Sequence, residues 1–207
     1  MFGAGELIAA HPGAVVVTVF AAGPAGGELR GWDRDCGFAD GEDVMRVRRD
    51  EDRAALDVLG ARPIWLPFCD DQYGRDTDAS RVASALTETI DDVGATSVAV
   101  PLGLFHGDHV LVHEAALIAR ARRPRLAWVT YEDAIYRRLA GDPVDARIGA
   151  WRDAGAVPER IAAPMGPASA LKRRAVACYA SQLRGLSARS PTGFADVFEP
   201  ETYWRLR

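Results

Sequence analysis

The sequence has 207 residues, 48% of them hydrophobic and 26% charged, and its formal net charge at pH 7 is -4. This length is sufficient for a sizeable hydrophobic core, and the composition is that of a soluble globular protein. The slightly acidic balance argues against nucleic acid or an anionic membrane as the partner, and no apolar stretch approaches the ~20 residues that a membrane-spanning helix needs.

Four apolar segments rich in β-branched residues are typical of strands buried on both faces of a sheet. In chain order they are AVVVTVF (14–20), RPIWLPF (62–68), TSVAVP (96–101) and RLAWVTY (125–131), with RIAAP (160–164) as a weaker fifth. Helical patterns alternate with them at 5–11, 43–60, 78–94, 108–123 and 169–186, and Asp108 is the predicted N-cap of the fourth helix. This alternation predicts a single α/β domain over residues 1–207, with a mainly parallel sheet and helices on both faces.

Polar side chains follow the predicted strands at the points where they end. The long, glycine-rich loop 21–42 follows the first strand and contains Trp32–Cys36; loops of this length are usually functional or disordered. Asp70-Asp71, His106–His109 and Glu132-Asp133 follow the next three strands. Because ligands of open α/β sheets bind outside the carboxyl ends of the strands, we expect a functional crevice at this edge.

The N-terminus and the cysteines bear on the location of the protein. The first residues lack a basic region and include Glu6 and Pro12, which argues against a signal peptide. The three cysteines, Cys36, Cys69 and Cys178, are scattered and do not have C-x-x-C spacing. They therefore indicate reduced thiols, and we expect a cytoplasmic protein.

The segment FHGDH (105–109) concentrates two of the four histidines around one carboxylate. A neutral imidazole is a common zinc ligand, and a catalytic zinc usually has three protein ligands and a water. His106 can act as an acid, a base or an oxyanion donor, while Asp108 can orient an imidazole. His113, one helical turn after His109, is better explained by packing than by ligation. The alternative for the whole segment is two surface histidines and a helix cap.

Several segments together resemble one enzyme family. FHGDH followed by a helix resembles the His-x-Asp-His motif of the PIG-L/LmbE-like zinc N-deacetylases. RRDEDRAALDVLG (48–60) resembles the Arg-x-x-Glu helix of that family, and WLPFCDDQYG (65–74) resembles its strand that ends in an acidic turn. YASQL (179–183) and PETYWRL (200–206) resemble its C-terminal elements, so the resemblance covers nearly the whole chain.

This resemblance implies a Rossmann-like fold and removal of acetyl groups from N-acetylated amino sugars or related conjugates. It implies that His109 is a zinc ligand and that His106, with Asp108, belongs to the catalytic group. His106 would stabilise the oxyanion or protonate the leaving amine. By the same resemblance, Arg48 and Asp70 would lie toward the polar groups of the substrate.

The sequence departs from the family at its signature, His-Pro-Asp-Asp, which supplies two further zinc ligands and the base. No such motif is present, and His11-Pro12-Gly13 follows a predicted helix and lacks both aspartates. We therefore expect the chain to be N-terminally incomplete. We also expect it to bind zinc weakly or not at all, to be inactive without the upstream motif, and to self-associate into a homo-oligomer.

Three classes of function remain open. A zinc-dependent de-N-acetylase acting on a small N-acetylated amino sugar or conjugate is the first, and a catalytically inactive, sugar-binding relative is the second. A nucleotide-binding Rossmann protein is the third. The sequence GAG (3–5) does not support that third class, because no strand precedes it and no third glycine follows at the required spacing.

Overall fold

A computed structural model describes residues 1–24, 28–75, 77–162, 168–189 and 194–206. The helices are α1 Gly5–Ala9, α2 Gly31–Asp35, α3 Val44–Leu59, α4 Ala79–Asp92, α5 Gly107–Arg122, α6 Pro143–Asp153, α7 Ala168–Ala177 and α8 Ala180–Arg189. The strands are β1 Val15–Thr18, β2 Arg62–Trp65, β3 Ser97–Pro101, β4 Ala127–Tyr131, β5 Pro158–Ala162 and β6 Thr202–Leu206. Two short 3₁₀ helices cover Asp71–Tyr73 and Ala195–Phe198.

These elements divide between two compact units, each assembled from segments that are distant in the sequence. The first unit contains Met1, Gly5–Asp76 and Pro164–Glu199. The second contains Phe2–Ala4, Thr77–Ala163 and Pro200–Arg207. The organisation as one domain over residues 1–207 stays a prediction.

The first unit is built around a parallel pair of strands and the helix that connects them. β1 and β2 pair in register from Val15 opposite Arg62 to Thr18 opposite Trp65. The connecting helix α3 begins where Asp43 accepts a hydrogen bond from the Arg46 N–H at 3.0 Å, which satisfies one of the unpaired amides of its first turn. It ends at Gly60, whose φ of 68° is left-handed, a conformation that glycine adopts at little cost. The apolar side of α3 packs against α7 through a buried cluster: Ala55, Leu59 and Ala175.

The second unit contains a four-stranded sheet in the order β3-β4-β6-β5. β3 and β4 are parallel, whereas β6 is antiparallel to both of its neighbours. Two buried clusters form its core. The first consists of Ile90, Val100, Ala116, Ala119 and Trp128, and the second of Leu102, Ile148 and Trp151. The parallel register sets Pro101 opposite Tyr131, so the segments that follow β3 and β4 leave the sheet side by side.

The α/β fold class is confirmed, and the five predicted strands lie within or beside the predicted segments. The sheet differs from the expectation, because β1 and β2 form a separate sheet and β6 joins the other strands antiparallel. The predicted helix 169–186 is two helices, with a break at Tyr179, whose hydroxyl donates to the buried Asp52 carboxylate at 2.5 Å. The five-residue helix α2 and the eleven-residue helix α6 were not predicted.

The N-cap of α5 corrects a further expectation. Asp108 lies inside the first turn, and the N-cap is His106, whose backbone is extended. The Nδ1 atom of His106 accepts a hydrogen bond from the Asp108 N–H at 3.3 Å. Asp108 is therefore placed where the helix dipole favours a negative charge.

Two other features can be compared directly with the structure. The three cysteines are free thiols, as their spacing predicted. In the described parts of the chain, no helix has the length and apolar character needed to cross a bilayer.

His113 is fully buried, in agreement with its interpretation as a packing residue. Its Nδ1 donates to the Pro101 carbonyl at 3.0 Å, and its ring stacks on Trp151 with centroids 5.6 Å apart. Its Nε2 is buried and has no hydrogen-bond partner among the described residues. Burial lowers the pKa of His113, because the charged imidazolium would lose its hydration.

We expect this buried imidazole to make the protein sensitive to mild acid. The unfolded chain takes up a proton near the ordinary histidine pKa of about 6.5, above the lowered pKa in the folded state, so stability is lost as pH falls below that value. The melting temperature should therefore decrease between pH 7.5 and 5.5, and His113→Leu should reduce the decrease even though it lowers stability at both pH values. His11→Leu, at an exposed histidine, is the control for the substitution itself. An equal decrease in the wild type and His113→Leu would contradict this account.

Candidate active site

His109 is oriented by a buried carboxylate. It lies in the first turn of α5, and its Nδ1 is 2.6 Å from Oδ1 of Asp133. Asp133 follows β4 directly and is 1% exposed. Its second oxygen, Oδ2, accepts the Leu104 N–H at 2.9 Å. One carboxylate therefore binds both the loop after β3 and the imidazole on α5.

The two histidines present opposite hydrogen-bonding atoms. An ionised carboxylate only accepts, so the contact with Asp133 assigns the proton of neutral His109 to Nδ1 and leaves its Nε2 with a lone pair. His106 accepts at Nδ1 from a backbone amide, which assigns its proton to Nε2. The ring centroids are 5.8 Å apart, and the side chains are 45% and 40% exposed, respectively. The pair thus offers one N–H donor and one lone pair to a bound molecule.

Two aromatic side chains border the histidines. The ring of Tyr136 is 6.0 Å from that of His106 and 5.5 Å from that of His109. Phe105 contacts Tyr136 at 5.7 Å and is 66% exposed. Burial, reinforced by the Asp133 and Asp108 carboxylates, raises the pKa of Tyr136, so its phenol remains neutral at physiological pH.

The backbone after Asp133 is strained. Ile135 has φ 67°, which is unfavourable for a β-branched residue. The Tyr136 N–H donates to the Asp133 carbonyl at 3.2 Å across this turn. Such conformations persist only where the surroundings enforce them, and they are concentrated at functional sites. Here the turn places Asp133 against His109 and the Tyr136 ring beside the rings of both His106 and His109.

The loop before the histidines requires glycine at position 103. Gly103 has φ 72°, and a Cβ atom there would lie 2.7 Å from the Cβ of His113 and 3.2 Å from the carbonyl oxygen of His109. Arg147 also donates to its carbonyl at 2.5 Å. The close approach of this loop to α5 therefore depends on the absence of a side chain.

The first unit contains a pocket of about 220 Å³. It is lined by Thr18, Phe20, Ala21, Trp32, Met45, Arg48, Arg49, Glu51, Asp52, Trp65, Asp70, Tyr179 and Gln182. Arg48 and Asp70, the two residues predicted to lie toward the substrate, are thus brought together in one pocket. Asp52 accepts hydrogen bonds from Thr18 at 3.3 Å, Trp65 at 2.7 Å and Tyr179 at 2.5 Å.

Both Nη atoms of Arg48 donate hydrogen bonds within a buried network, which the sequence did not predict. Its Nη2 donates to Asp33 at 2.8 Å, and its Nη1 donates to the Tyr73 hydroxyl at 3.3 Å. Asp33 is 0% exposed and also accepts from Tyr73 at 2.8 Å. Burial and the Asp33 hydrogen bond raise the pKa of Tyr73, although the charge of Arg48 opposes this, so the phenol stays protonated and donates.

The structure therefore groups the predicted site residues in two places, His106, Asp108 and His109 in the second unit and Arg48 and Asp70 in the first. Sequence reasoning placed Asp133 at the predicted edge but gave it no role, and it did not identify Tyr136. The available signal for Asp133 was its position after the fourth strand. The roles assigned to the five predicted residues stay predictions.

The family model PIG-L, described as GlcNAc-PI de-N-acetylase, matches residues 1–120. The chain belongs to the PIG-L family. This match confirms the resemblance found in the sequence, and it includes Arg48, Asp70 and the FHGDH segment of this PIG-L protein. No curated protein matches the chain.

Solved structures of deacetylases are similar to this PIG-L family member. An A40926 pseudoaglycone deacetylase is 23% identical over 100% of this chain and 91% of its own, with a TM-score of 0.77. A triple mutant of a deacetylase of the teicoplanin biosynthetic pathway is 23% identical, with 100% and 92% covered and a TM-score of 0.77. The zinc-inhibited form of a teicoplanin deacetylase is 22% identical, with 100% and 92% covered and a TM-score of 0.72. At these identities the likeness establishes the fold.

We expect Gly103→Ala to destabilise the loop that carries the histidines. The added methyl group meets α5 and also forces an unfavourable φ, which should lower the free energy of unfolding by about 1–3 kcal/mol. Gly141→Ala is the matched control, because Gly141 also has a positive φ but a Cβ there would contact nothing within 4 Å. Urea denaturation of both variants should give the larger loss for Gly103→Ala. Equal losses of the free energy of unfolding in the two variants would show that the close contact with His113 does not cause the destabilisation.

Proposed function

We propose that this protein is an N-deacetylase that removes the acetyl group from a small N-acetylated amino sugar or conjugate. Membership of the PIG-L family supports the reaction class. The similar solved structures are of deacetylases, one of them named for the A40926 pseudoaglycone and one from the teicoplanin biosynthetic pathway, which supports a conjugate as the substrate class. The observation that carries the proposal is the imidazole pair, in which Asp133 leaves His109 with a free lone pair beside the N–H of His106.

His106 is proposed to act on the oxygen and nitrogen of the scissile amide. Its Nε2–H can donate a hydrogen bond to the oxyanion that forms on the acetyl carbonyl. When the ring is also protonated at Nδ1, the imidazolium can pass its Nε2 proton to the departing amine and return to the neutral imidazole. The Asp108 N–H donates to Nδ1 of His106 at 3.3 Å, and a carboxylate oxygen of Asp108 lies 3.6 Å from the same nitrogen. That carboxylate can therefore stabilise the imidazole when it is protonated.

His109 is proposed to bind zinc through Nε2. A carboxylate on the opposite ring nitrogen fixes the orientation of a ligating histidine and increases its basicity. When bound, zinc would polarise the acetyl carbonyl and acidify a water molecule. Within the described ranges, however, no group of three or more His, Cys, Asp or Glu side chains is placed to hold a metal. The described residues therefore do not by themselves fit a catalytic zinc, which usually has three protein ligands.

Arg48 and Asp70 are proposed to bind polar groups of the substrate. Both line the pocket of the first unit. The contacts of Arg48 with Asp33 and Tyr73 mean that it also supports the pocket wall. A cytoplasmic location and a small-molecule partner complete the proposal, in line with the three free thiols.

Zinc binding provides a test that does not depend on turnover. We expect weak zinc binding that His109→Ala abolishes and that Asp133→Asn reduces by about 10–100-fold, since the amide no longer orients or polarises the imidazole. His106→Ala should retain the metal. Equilibrium dialysis with elemental analysis measures all three variants. Zinc binding that survives His109→Ala would overturn the assignment of this ligand.

Hydrolysis is the direct test, carried out on the protein supplied with zinc. Acetate release is measured from N-acetylglucosamine, its conjugates and acetylated glycopeptides. We expect cleavage of at least one substrate and a ~10²–10⁴-fold loss of turnover in His106→Ala. His11→Ala, at an exposed histidine of the first unit, is the control and should retain full activity. Binding of these sugars without any cleavage would instead support the catalytically inactive relative.

A further inference from the structure

We propose that Tyr136 is a positioning residue that holds the plane of the His106 imidazole. The proposal rests on the proposed function, because it concerns the ring that would donate to the oxyanion. The observation behind it is a triangle of three rings in the second unit. The centroid of the Tyr136 ring is 6.0 Å from that of His106 and 5.5 Å from that of His109, and the two imidazoles are 5.8 Å apart.

The His106 imidazole needs a restraint on its plane. The ring is 45% exposed, and the hydrogen bond that its Nδ1 accepts from the Asp108 N–H is 3.3 Å, which is long. The torsion that turns a histidine ring about its Cβ–Cγ bond has a broad, roughly twofold preference. Rotation about this bond would move the Nε2–H away from any fixed point in the site.

Tyr136 and the Asp108 amide restrain this ring in complementary ways. The Tyr136 ring is stacked on His106 with an angle of 29° between the planes. Turning the imidazole out of this arrangement loses the contact between the rings. Stacking alone permits two orientations related by a half-turn, and the Asp108 N–H selects the one that places Nδ1 against it. The two contacts together define one direction for the Nε2–H.

His109 depends on Tyr136 to a smaller extent. Its Nδ1 is 2.6 Å from the buried Asp133 carboxylate, a short contact with an ionised group. The Tyr136 ring meets it nearly at right angles, at 86°. Its orientation is therefore fixed mainly by the carboxylate, and we expect a change at Tyr136 to affect His106 more than His109.

Tyr136 is itself held in place by the turn on which it lies. The N–H groups of Tyr136 and Arg137 donate to the Asp133 carbonyl at 3.2 Å and 3.0 Å. The Arg137 guanidinium donates to the Pro200 carbonyl at 2.9 Å, which connects the turn to the segment before β6. The positive φ of Ile135 lies inside this turn. A backbone that is fixed on both sides of a strained residue gives the Tyr136 ring a defined starting direction.

Packing for stability alone explains Tyr136 less well. The side chain belongs to neither of the two buried clusters described for this unit. Phe105, whose ring also contacts Tyr136, is 66% exposed and therefore supplies little core. The contacts with the two imidazoles are consequently the more specific feature of this ring.

Turnover provides the first test, on the protein supplied with zinc. Tyr136→Leu should lower kcat by about 10–100-fold with little change in KM, because a misplaced Nε2–H loses an interaction made in the transition state. Tyr136→Phe keeps the ring and should retain most of the wild-type kcat. Leu139→Ala, at an exposed apolar side chain three residues further along the same segment, is the matched control and should turn over normally.

Nuclear magnetic resonance of protein with isotope-labelled histidine provides a test that needs no substrate. The spectrum is recorded without zinc at an alkaline pH, and the variant His106→Gln assigns the His106 signals among those of the four histidines. In the wild type, the ring current of Tyr136 should displace the His106 ring protons from the position of the exposed His11. The displacement should persist in Tyr136→Phe and be lost in Tyr136→Leu.

The outcomes distinguish this proposal from the proposed function. Wild-type His106 signals at the position of His11, or equal His106 signals in wild type and Tyr136→Leu, would overturn it. A loss of kcat in Tyr136→Phe as large as in Tyr136→Leu would also overturn it, because the hydroxyl would then be responsible. A parallel loss of zinc affinity in Tyr136→Leu would show action through His109 instead. Displaced His106 signals that depend on the Tyr136 ring, without hydrolysis of any substrate, would leave the positioning standing and remove the deacetylase function.

Discussion

The geometry of the candidate active site depends on the buried carboxylate of Asp133. An ionised carboxylate without hydration is costly unless it is hydrogen-bonded, and Asp133 meets this requirement with the Leu104 amide and the His109 imidazole. Those two partners lie on the loop after β3 and on α5. The need to satisfy one buried charge therefore fixes the loop, the helix start and the tautomer of the histidine together.

The same principle operates in the first unit. Asp33 and Asp52 are buried, and each accepts hydrogen bonds from several segments of the chain. Asp52 joins β1, β2 and the break between α7 and α8, while Asp33 joins α2 to α3. In both units, buried carboxylates that are hydrogen-bonded to several segments specify an arrangement that the apolar core alone would leave adaptable.

Strain accompanies these networks near the histidines. The positive φ of Ile135 and the close approach at Gly103 flank the contact between Asp133 and His109. Such conformations destabilise the folded state, so their presence here, beside half-exposed imidazoles, is consistent with a site at which orientation matters more than stability. The neutral phenol of Tyr136 and the exposed ring of Phe105 extend this site with an aromatic border.

The sequence by itself determined the features that depend on local pattern. Continuous β-branched runs identified β1 to β4, and helical patterns identified α3 and α4, because burial on both faces of a strand or on one side of a helix leaves a direct trace in the sequence. FHGDH made His106, Asp108 and His109 candidates through its resemblance to the family motif, and their roles stay predictions.

Only the tertiary structure decided the contacts between distant segments. The pair His109 and Asp133, 24 residues apart, exists because β3 and β4 are parallel and in register, so that their following loops meet. β6 pairs antiparallel with both β4 and β5. The local sequence of β6 does not indicate which strands it pairs with. Trp32 reaches the pocket because Asp33 finds Arg48 and Tyr73, 15 and 40 residues away. A buried polar group specifies that it needs partners, but the fold determines which groups they are.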